Sequence, residues 1–146
     1  DGRAADIGSG AGLPGIVLAI ARPDVTWTLV EPMERRVAWL TEQADALGLG
    51  NVTVVRARAE EWVPEASVDV VTARAVSALR TLIPMTAPLV RPGGRLMLFK
   101  GRGAEAEIEA AQKQIRRFGL TDVGVLTLGE GVLDETTRVV HATVGG

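Results

Sequence analysis

A strand-forming run that breaks into four glycines within eight residues constrains this chain more than any other feature. Ala4–Ile7 reads as a short buried strand, and Gly8, Gly10, Gly12 and Gly15 follow it before the apolar run Ile16-Val17-Leu18-Ala19-Ile20. Glycines let the main chain turn sharply from strand into helix and let a ligand approach the backbone closely. A chain that opens strand, Gly-rich turn, helix is committed to a βα unit, and therefore to a parallel pairing for its next strand.

The rest of the sequence keeps that alternation. Leu13–Ala21 is expected as the first helix, closed by Arg22-Pro23-Asp24, and Val25–Val30 as the second strand with Glu31 at its carboxyl end. Glu34–Leu47 is the clearest helix. Val37, Leu40, Ala44 and Leu47 fall on one face, and Gly48 stands where a left-handed C-terminal cap belongs. Val52–Val55 and Val68–Thr72 read as strands, and Ala78–Val90 as helical but interrupted by Pro84 and Pro88. Arg91-Pro92-Gly93-Gly94 reads as a turn before a strand Arg95–Phe99. Glu105–Phe118 is a second good helix, with Ile108, Ala111, Ile115 and Phe118 on its inner face and Gly119 as its stop. The last strands, Val123–Leu128 and Arg138–Val144, leave no room for a helix between them and must pair antiparallel at one edge. The expected fold is α/β: one domain over 1–146, a mostly parallel, doubly wound, Rossmann-like sheet ending in an antiparallel strand pair. That is the architecture of class I methyltransferases that use S-adenosylmethionine, and it puts ligands beyond the carboxyl ends of the strands.

Composition narrows the chemistry. There is no cysteine and no tyrosine, and His141 is the sole histidine. Thiolate nucleophiles, disulfides, Cys-based zinc sites, multi-histidine metal sites and phenolic acids or bases are thereby excluded, and no metal is expected. Apolar residues make up 47% of the chain, enough for a core, yet charged residues or glycine interrupt every apolar run, so no membrane span or membrane partner is expected. The formal net charge of −2 gives no long-range attraction for polyanions, so a nucleic acid would have to meet local basic patches. The chain opens on Asp1-Gly2-Arg3 with no leader pattern and enters a core strand almost at once, from which we expect a further segment ahead of it.

The Gly-rich turn admits two cofactors. Gly10, Gly12 and Gly15 satisfy G-x-G-x-x-G with Glu31 about 20 residues on, a dinucleotide pattern. Asp6, Gly8, Gly10 and Gly12 also spell D-x-G-x-G-x-G. An acid at Asp6 suits the amino-acid end of a cationic ligand, directly or through water, and would repel a pyrophosphate, so S-adenosylmethionine is the favoured cofactor. Asp6, Gly8, Ser9, Gly10 and Leu13 are its expected contacts from the loop. Glu31 is placed to accept ribose hydroxyls. Ala59 and Glu60 follow the third strand, where a backbone N–H and a side-chain acceptor would meet the adenine edge. Arg74 lies just past the fourth strand, facing the transferring group, and would pair with a carboxylate or phosphate. Lys100 ends the fifth strand and would contact a substrate phosphate. Arg74 and Lys100 are thus positioning candidates, and no catalytic acid or base is identified. Arg35-Arg36 is a basic cluster, Arg116-Arg117 reads as a solvated helix end, and His141 as structural.

Taken in order, Asp6-Ile7-Gly8-Ser9-Gly10-Ala11-Gly12-Leu13-Pro14-Gly15, Glu31-Pro32-Met33-Glu34-Arg35-Arg36-Val37, Arg58-Ala59-Glu60-Glu61, Thr72-Ala73-Arg74-Ala75 and Leu98-Phe99-Lys100-Gly101 resemble one family. It is that of the bacterial small-subunit (16S) ribosomal RNA guanine-N7 methyltransferases, also called glucose-inhibited division protein B. The resemblance runs over essentially the whole chain. It implies S-adenosylmethionine as methyl donor, guanine N7 of small-subunit ribosomal RNA or of the ribosomal particle as acceptor, and a cytoplasmic, monomeric protein. It further implies an N-terminal helical segment ahead of this chain, and cofactor contacts at Gly8, Leu13, Ala59, Glu60 and Arg74.

Two other readings remain open from residues alone. A nicotinamide-dependent oxidoreductase lacks a tyrosine for a Tyr-Lys proton relay, and a non-catalytic module would bind cofactor or ribosomal particles without turnover.

Overall fold

The computed structural model describes residues 2–10, 12, 14–74, 77–131 and 137–145. Its strands are β1 (Gly2–Ile7), β2 (Val25–Glu31), β3 (Val52–Arg56), β4 (Val68–Arg74), β5 (Val90–Lys100), β6 (Thr121–Leu128) and β7 (Thr137–Thr143). They form one sheet in the order β3-β2-β1-β4-β5-β7-β6. β1 pairs in parallel with β2 on one side and β4 on the other, so the direction of winding reverses between β1 and β4. β7 runs antiparallel to β6, as the short connection between them requires, and inserts antiparallel beside β5.

The helices are α1 (Gly15–Ala21), α2 (Glu34–Ala46), α3 (Leu79–Thr86), α4 (Ala104–Ala110) and α5 (Gln112–Arg117). Alternation along β1 assigns them to faces, because successive side chains point oppositely. Ala4 packs with Ile16 and Ala19 of α1 and Leu40 of α2. Ala5 and Ile7 pack with Leu79, Leu82 and Ile83 of α3 and with Ala104, Ala111 and Ile115. The fold is therefore the expected doubly wound α/β sheet with an antiparallel pair at one edge.

Several local expectations change. The helix expected over Glu105–Phe118 is broken at Ala111, whose φ of −101° and ψ of 11° leave the helical region. Ala111 is wholly buried at the joint, so packing outweighs alanine's helix propensity. The inner face still holds, with Ile115 buried and Ile108 and Phe118 packed against the core. Pro84 does not end α3, which runs through it to Thr86 before a 3-10 turn at Ala87–Leu89. Arg91-Pro92-Gly93-Gly94 is no free turn but a bulge within β5, where the register with β4 jumps from Val68↔Val90 to Val70↔Arg95. A Cβ at Gly94 would stand 2.6 Å from the Asp69 carbonyl oxygen, so only glycine lets the two strands run this close. Leu47 is exposed rather than inward, and Leu49, beyond the left-handed Gly48, packs on the core in its place.

Candidate functional site

The carboxyl ends of β1, β2 and β3 open into a cleft of about 730 Å³. Its walls are Ile7 and Gly8 from β1 and its exit, Val30, Pro32 and Met33 after β2, Arg56–Glu61 after β3, and Met85 of α3. Strand ends gather here because the winding reverses beside β1, which leaves the exit loops no helix to cover them.

The Gly-rich loop is held by two buried acids. Asp6 lies opposite Thr72 in the β1–β4 pairing and is wholly buried. Its Oδ1 accepts the Thr72 hydroxyl at 2.7 Å and its Oδ2 accepts the Gly15 N–H at 3.1 Å. The acid thus closes the loop across its base and satisfies one of the orphan donors at the start of α1. Burial pushes the Asp6 carboxyl up to about 6, against the hydrogen bonds from Thr72 and Gly15 that favour its ionised form. Ser9 is also buried, and its hydroxyl donates to the Asp6 carbonyl at 3.0 Å. Glu31 is the second brace. One of its oxygens accepts the Gly10 N–H at 3.0 Å and the other the Met33 N–H at 2.8 Å.

These bonds revise three expectations. Asp6 and Ser9 are not aimed at a ligand: their side chains turn inward onto the chain's own backbone and hydroxyls. Glu31 does end β2, but its carboxylate is buried beneath the loop and engaged by two amides rather than lying open in the cleft. For the two acids the physical reason is the same. A tight Gly-rich turn leaves amides unpaired, and an acid at a strand end is the nearest acceptor that can stay buried with them. The buried Ser9 hydroxyl is satisfied by the Asp6 carbonyl.

Gly8 is open to the cleft. Its φ is +68°, and a Cβ there would meet nothing within 4 Å, while its N–H is already donated to the Val30 carbonyl at 2.8 Å. Ala59 and Glu60 line the opposite wall in a 3-10 turn, Ala59–Glu61, whose first N–H groups have no partner inside the turn. Glu60 is exposed there. Gly10 sits farther along the loop with φ +53°, and Leu13 lies outside the described residues.

Arg74 is the last residue of β4 rather than one past it. It is exposed, and no ion pair involves it among the described residues. Lys100 corrects its expectation: its side chain is only 5% exposed, and its Nζ lies 2.9 Å from Glu107 Oε1 and 2.8 Å from the Ser77 carbonyl. Glu107 Oε1 also accepts the Leu79 N–H at 2.9 Å. This pair ties the end of β5, the start of α3 and α4 together, so Lys100 positions the segment after β4 and is not free to meet a phosphate. His141 lies within β7, its Nδ1 3.1 Å from an Arg95 guanidinium nitrogen, a structural contact. Arg116 and Arg117 are exposed at the end of α5.

Met33, Met85 and Arg58 line the cleft and were not singled out from sequence. Met33 and Arg58 each follow a strand end, where the fold places ligands, so position alone could have found them. Met85 reaches the cleft through the docking of α3, which no local pattern encodes. Among the described residues no group of three His, Asp or Glu side chains could hold a metal ion.

The braces also bear on which nucleotide fits. In a dinucleotide fold the N–H groups opening the first helix receive the pyrophosphate. Here the Gly15 N–H is taken by the Asp6 carboxylate, and the Gly8, Ser9 and Gly10 amides are taken by Val30 and Glu31. The anion site is already filled by the protein's own charge.

Known proteins agree in fold and sequence. Residues 1–136 match the family described as rRNA small subunit methyltransferase G, also called GidB. The chain is 64% identical over 143 residues to the ribosomal RNA small subunit methyltransferase G of Clavibacter michiganensis, covering 98% of this chain and 68% of that protein. It is 61% identical over 143 residues to the protein of the same name from Leifsonia xyli, with the same two coverages. Among solved structures it resembles an S-adenosylmethionine-dependent O-methyltransferase from Thermotoga maritima, with a TM-score of 0.79, 18% identity, and coverage of 99% of this chain and 60% of that one. It also resembles the S-adenosylmethionine-dependent methyltransferase SibL in its apo form, with a TM-score of 0.77, 19% identity, and coverage of 99% and 51%. At such identities the structural likeness establishes the class I methyltransferase fold.

Proposed function

Since the chain belongs to the rRNA small subunit methyltransferase G family, we propose that it transfers a methyl group from S-adenosylmethionine to N7 of a guanine in small-subunit (16S) ribosomal RNA. The observation that carries this reading is Asp6 at the foot of the Gly-rich loop. A carboxylate occupying the anion position at the start of α1 disfavours a dinucleotide and suits a cofactor without phosphates.

The cofactor supplies an activated methyl group when bound; the chain's residues do the holding. Gly8 lets the ligand lie against the loop without a side chain in the way. Ala59 and Glu60 offer an amide donor and a carboxylate acceptor for an adenine edge. Glu31, buried and engaged by the Gly10 and Met33 amides, serves the cofactor indirectly by fixing the path of the loop. Gly10 keeps the loop's path, and Leu13 follows it in sequence. Arg74, exposed at the end of β4, is the proposed partner for the cofactor carboxylate or an RNA phosphate. Guanine N7 carries a lone pair and no proton, so the chain needs no general base. That agrees with a site whose walls hold no His, Cys or Tyr. Orientation and exclusion of water supply the rate. The substrate places the protein with ribosomal particles in the bacterial cytoplasm, and no helix among the described residues is long and apolar enough to cross a membrane.

Calorimetry with S-adenosylhomocysteine tests the reading. Gly8→Arg should abolish binding by filling the cleft, and Glu60→Ala should weaken it by about tenfold for one lost charged hydrogen bond. Tight binding of NADH with no binding of S-adenosylhomocysteine would refute it.

A further inference from the structure

A second groove, of about 530 Å³, lies against the outer side of the Gly-rich loop and is lined by Gly10, Met33, Arg35, Arg36 and Trp39. Met33 also lines the cofactor cleft, so the groove opens onto the rim of that cleft. We propose that this groove is the track for a single-stranded segment of the RNA substrate, with Arg35 and Arg36 on its phosphates and Trp39 stacked on a base. The proposal deepens the methyltransferase reading above and rests on it.

Three observations carry it. First, α2 spacing puts Arg35 and Trp39 four residues apart and Arg36 and Trp39 three apart, so all three share one helix face. Second, neither arginine is neutralised: no ion pair involves Arg35 or Arg36 among the described residues, whereas their neighbour Glu34 lies toward Arg56 at 3.8 Å. The Arg36 guanidinium instead leans on the loop, 3.8 Å from where a Gly10 Cβ would stand. Third, the apolar surface here is not used by the core. Leu40 points inward, while Trp39 is 43% and Met33 49% exposed beside the two guanidinium groups.

Charge and shape together select the occupant. With a net charge of −2 the molecule as a whole does not gather polyanions, so attraction must come from a local site such as this. Paired guanidiniums fit phosphates, and an exposed indole at one helical turn's distance fits the face of an unpaired base, the combination that single-strand binders use. An acidic peptide would satisfy the arginines but leave the indole without a ring to stack on.

The test is a fluorescence anisotropy titration of a labelled single-stranded RNA oligonucleotide across a salt series, with S-adenosylhomocysteine calorimetry on the same samples. Arg35→Ala/Arg36→Ala should make the negative slope of log K against log salt shallower by about 1.4, the loss of two phosphate contacts. Trp39→Ala should weaken RNA binding about tenfold, and Trp39→Phe should restore most of it. All three variants should still bind S-adenosylhomocysteine, which shows them folded. Unchanged RNA affinity and salt slope in the arginine and tryptophan variants would overturn the proposal. So would competition by polyglutamate equal to that of RNA of the same charge, with no effect of Trp39→Ala; the groove would then suit an acidic peptide. If the unaltered protein binds RNA through these residues yet fails to bind S-adenosylhomocysteine, the groove stands and the methyltransferase reading falls.

Discussion

Replacing Asp6 by Asn should stabilise the protein at neutral pH. The carboxyl is wholly buried, and its pKa is raised from 3.8 to about 6 by burial, against the hydrogen bonds it accepts. At about 1.4 kcal/mol per pKa unit, keeping it ionised in the fold costs about 3 kcal/mol. The sign follows from which state holds the proton. Between pH 3.8 and about 6 the unfolded chain has lost this proton while the folded chain retains it, so stability falls as pH rises through that window and levels off above it. Asparagine has nearly the same shape and no charge. Its Oδ1 can accept the Gly15 N–H, and its amide can donate to a Thr72 hydroxyl that reverses its role. Both bonds survive and the cost disappears. Urea unfolding of the two proteins at half-unit steps from pH 4 to 8 isolates the effect, because all other titrating groups cancel in the difference. The variant should match the natural protein near pH 4 and exceed it by about 3 kcal/mol at pH 8. A difference that does not change with pH, or a variant less stable at pH 8, would refute the argument.

Gly15→Ala should destabilise by about 1–3 kcal/mol. Its Cβ would stand 2.6 Å from both Asp6 Oδ2 and Leu29 Cδ2, two buried groups with nowhere to move, and urea unfolding that showed no loss would count against this close packing. Glu107→Gln should cost about 3 kcal/mol by leaving the buried Lys100 ammonium uncompensated. Lys100→Met should cost less, because the Glu107 side chain it leaves is 31% exposed and water can solvate it. The double variant Lys100→Met/Glu107→Leu should recover part of the loss in the same assay, and strict additivity would show that the pair does not act as a unit.

Much of this molecule can be read from its sequence because periodicity and glycine placement are local. The strand before Gly8, the alternation of strands and helices, the left-handed end at Gly48 and the antiparallel final pair all follow from residues near one another. What the sequence hides is settled across the sheet. Nothing around Ala111 signals a break, since the joint exists only because that alanine is buried between layers. Gly93-Gly94 reads as a turn, yet the strands' approach at Asp69 makes it a bulge. The direction of a carboxylate is hidden in the same way. Asp6 and Glu31 stand at strand ends, as a ligand site requires, but which donor each meets depends on Thr72, 66 residues away, or on a loop that folds back over β2.

That hidden direction changes what the two acids contribute. A flexible glycine loop pays for ordering when it closes on a ligand, and prior ordering removes that cost from binding. Asp6 fixes the loop to α1 and β4, Ser9 ties back to Asp6, and Glu31 holds Gly10 against the entry to α2, so the loop's path is set by the protein itself. The brace is costly at Asp6, where a charge is held in the interior, and an asparagine would make the same two hydrogen bonds more cheaply. Stability therefore cannot be what favours the acid at that position. An ionised carboxylate does one thing an amide cannot: it fills the anion position at the start of α1 with fixed negative charge and so bars a pyrophosphate from it. On this argument the destabilisation at neutral pH is the other side of cofactor discrimination, and both should vanish together in Asp6→Asn.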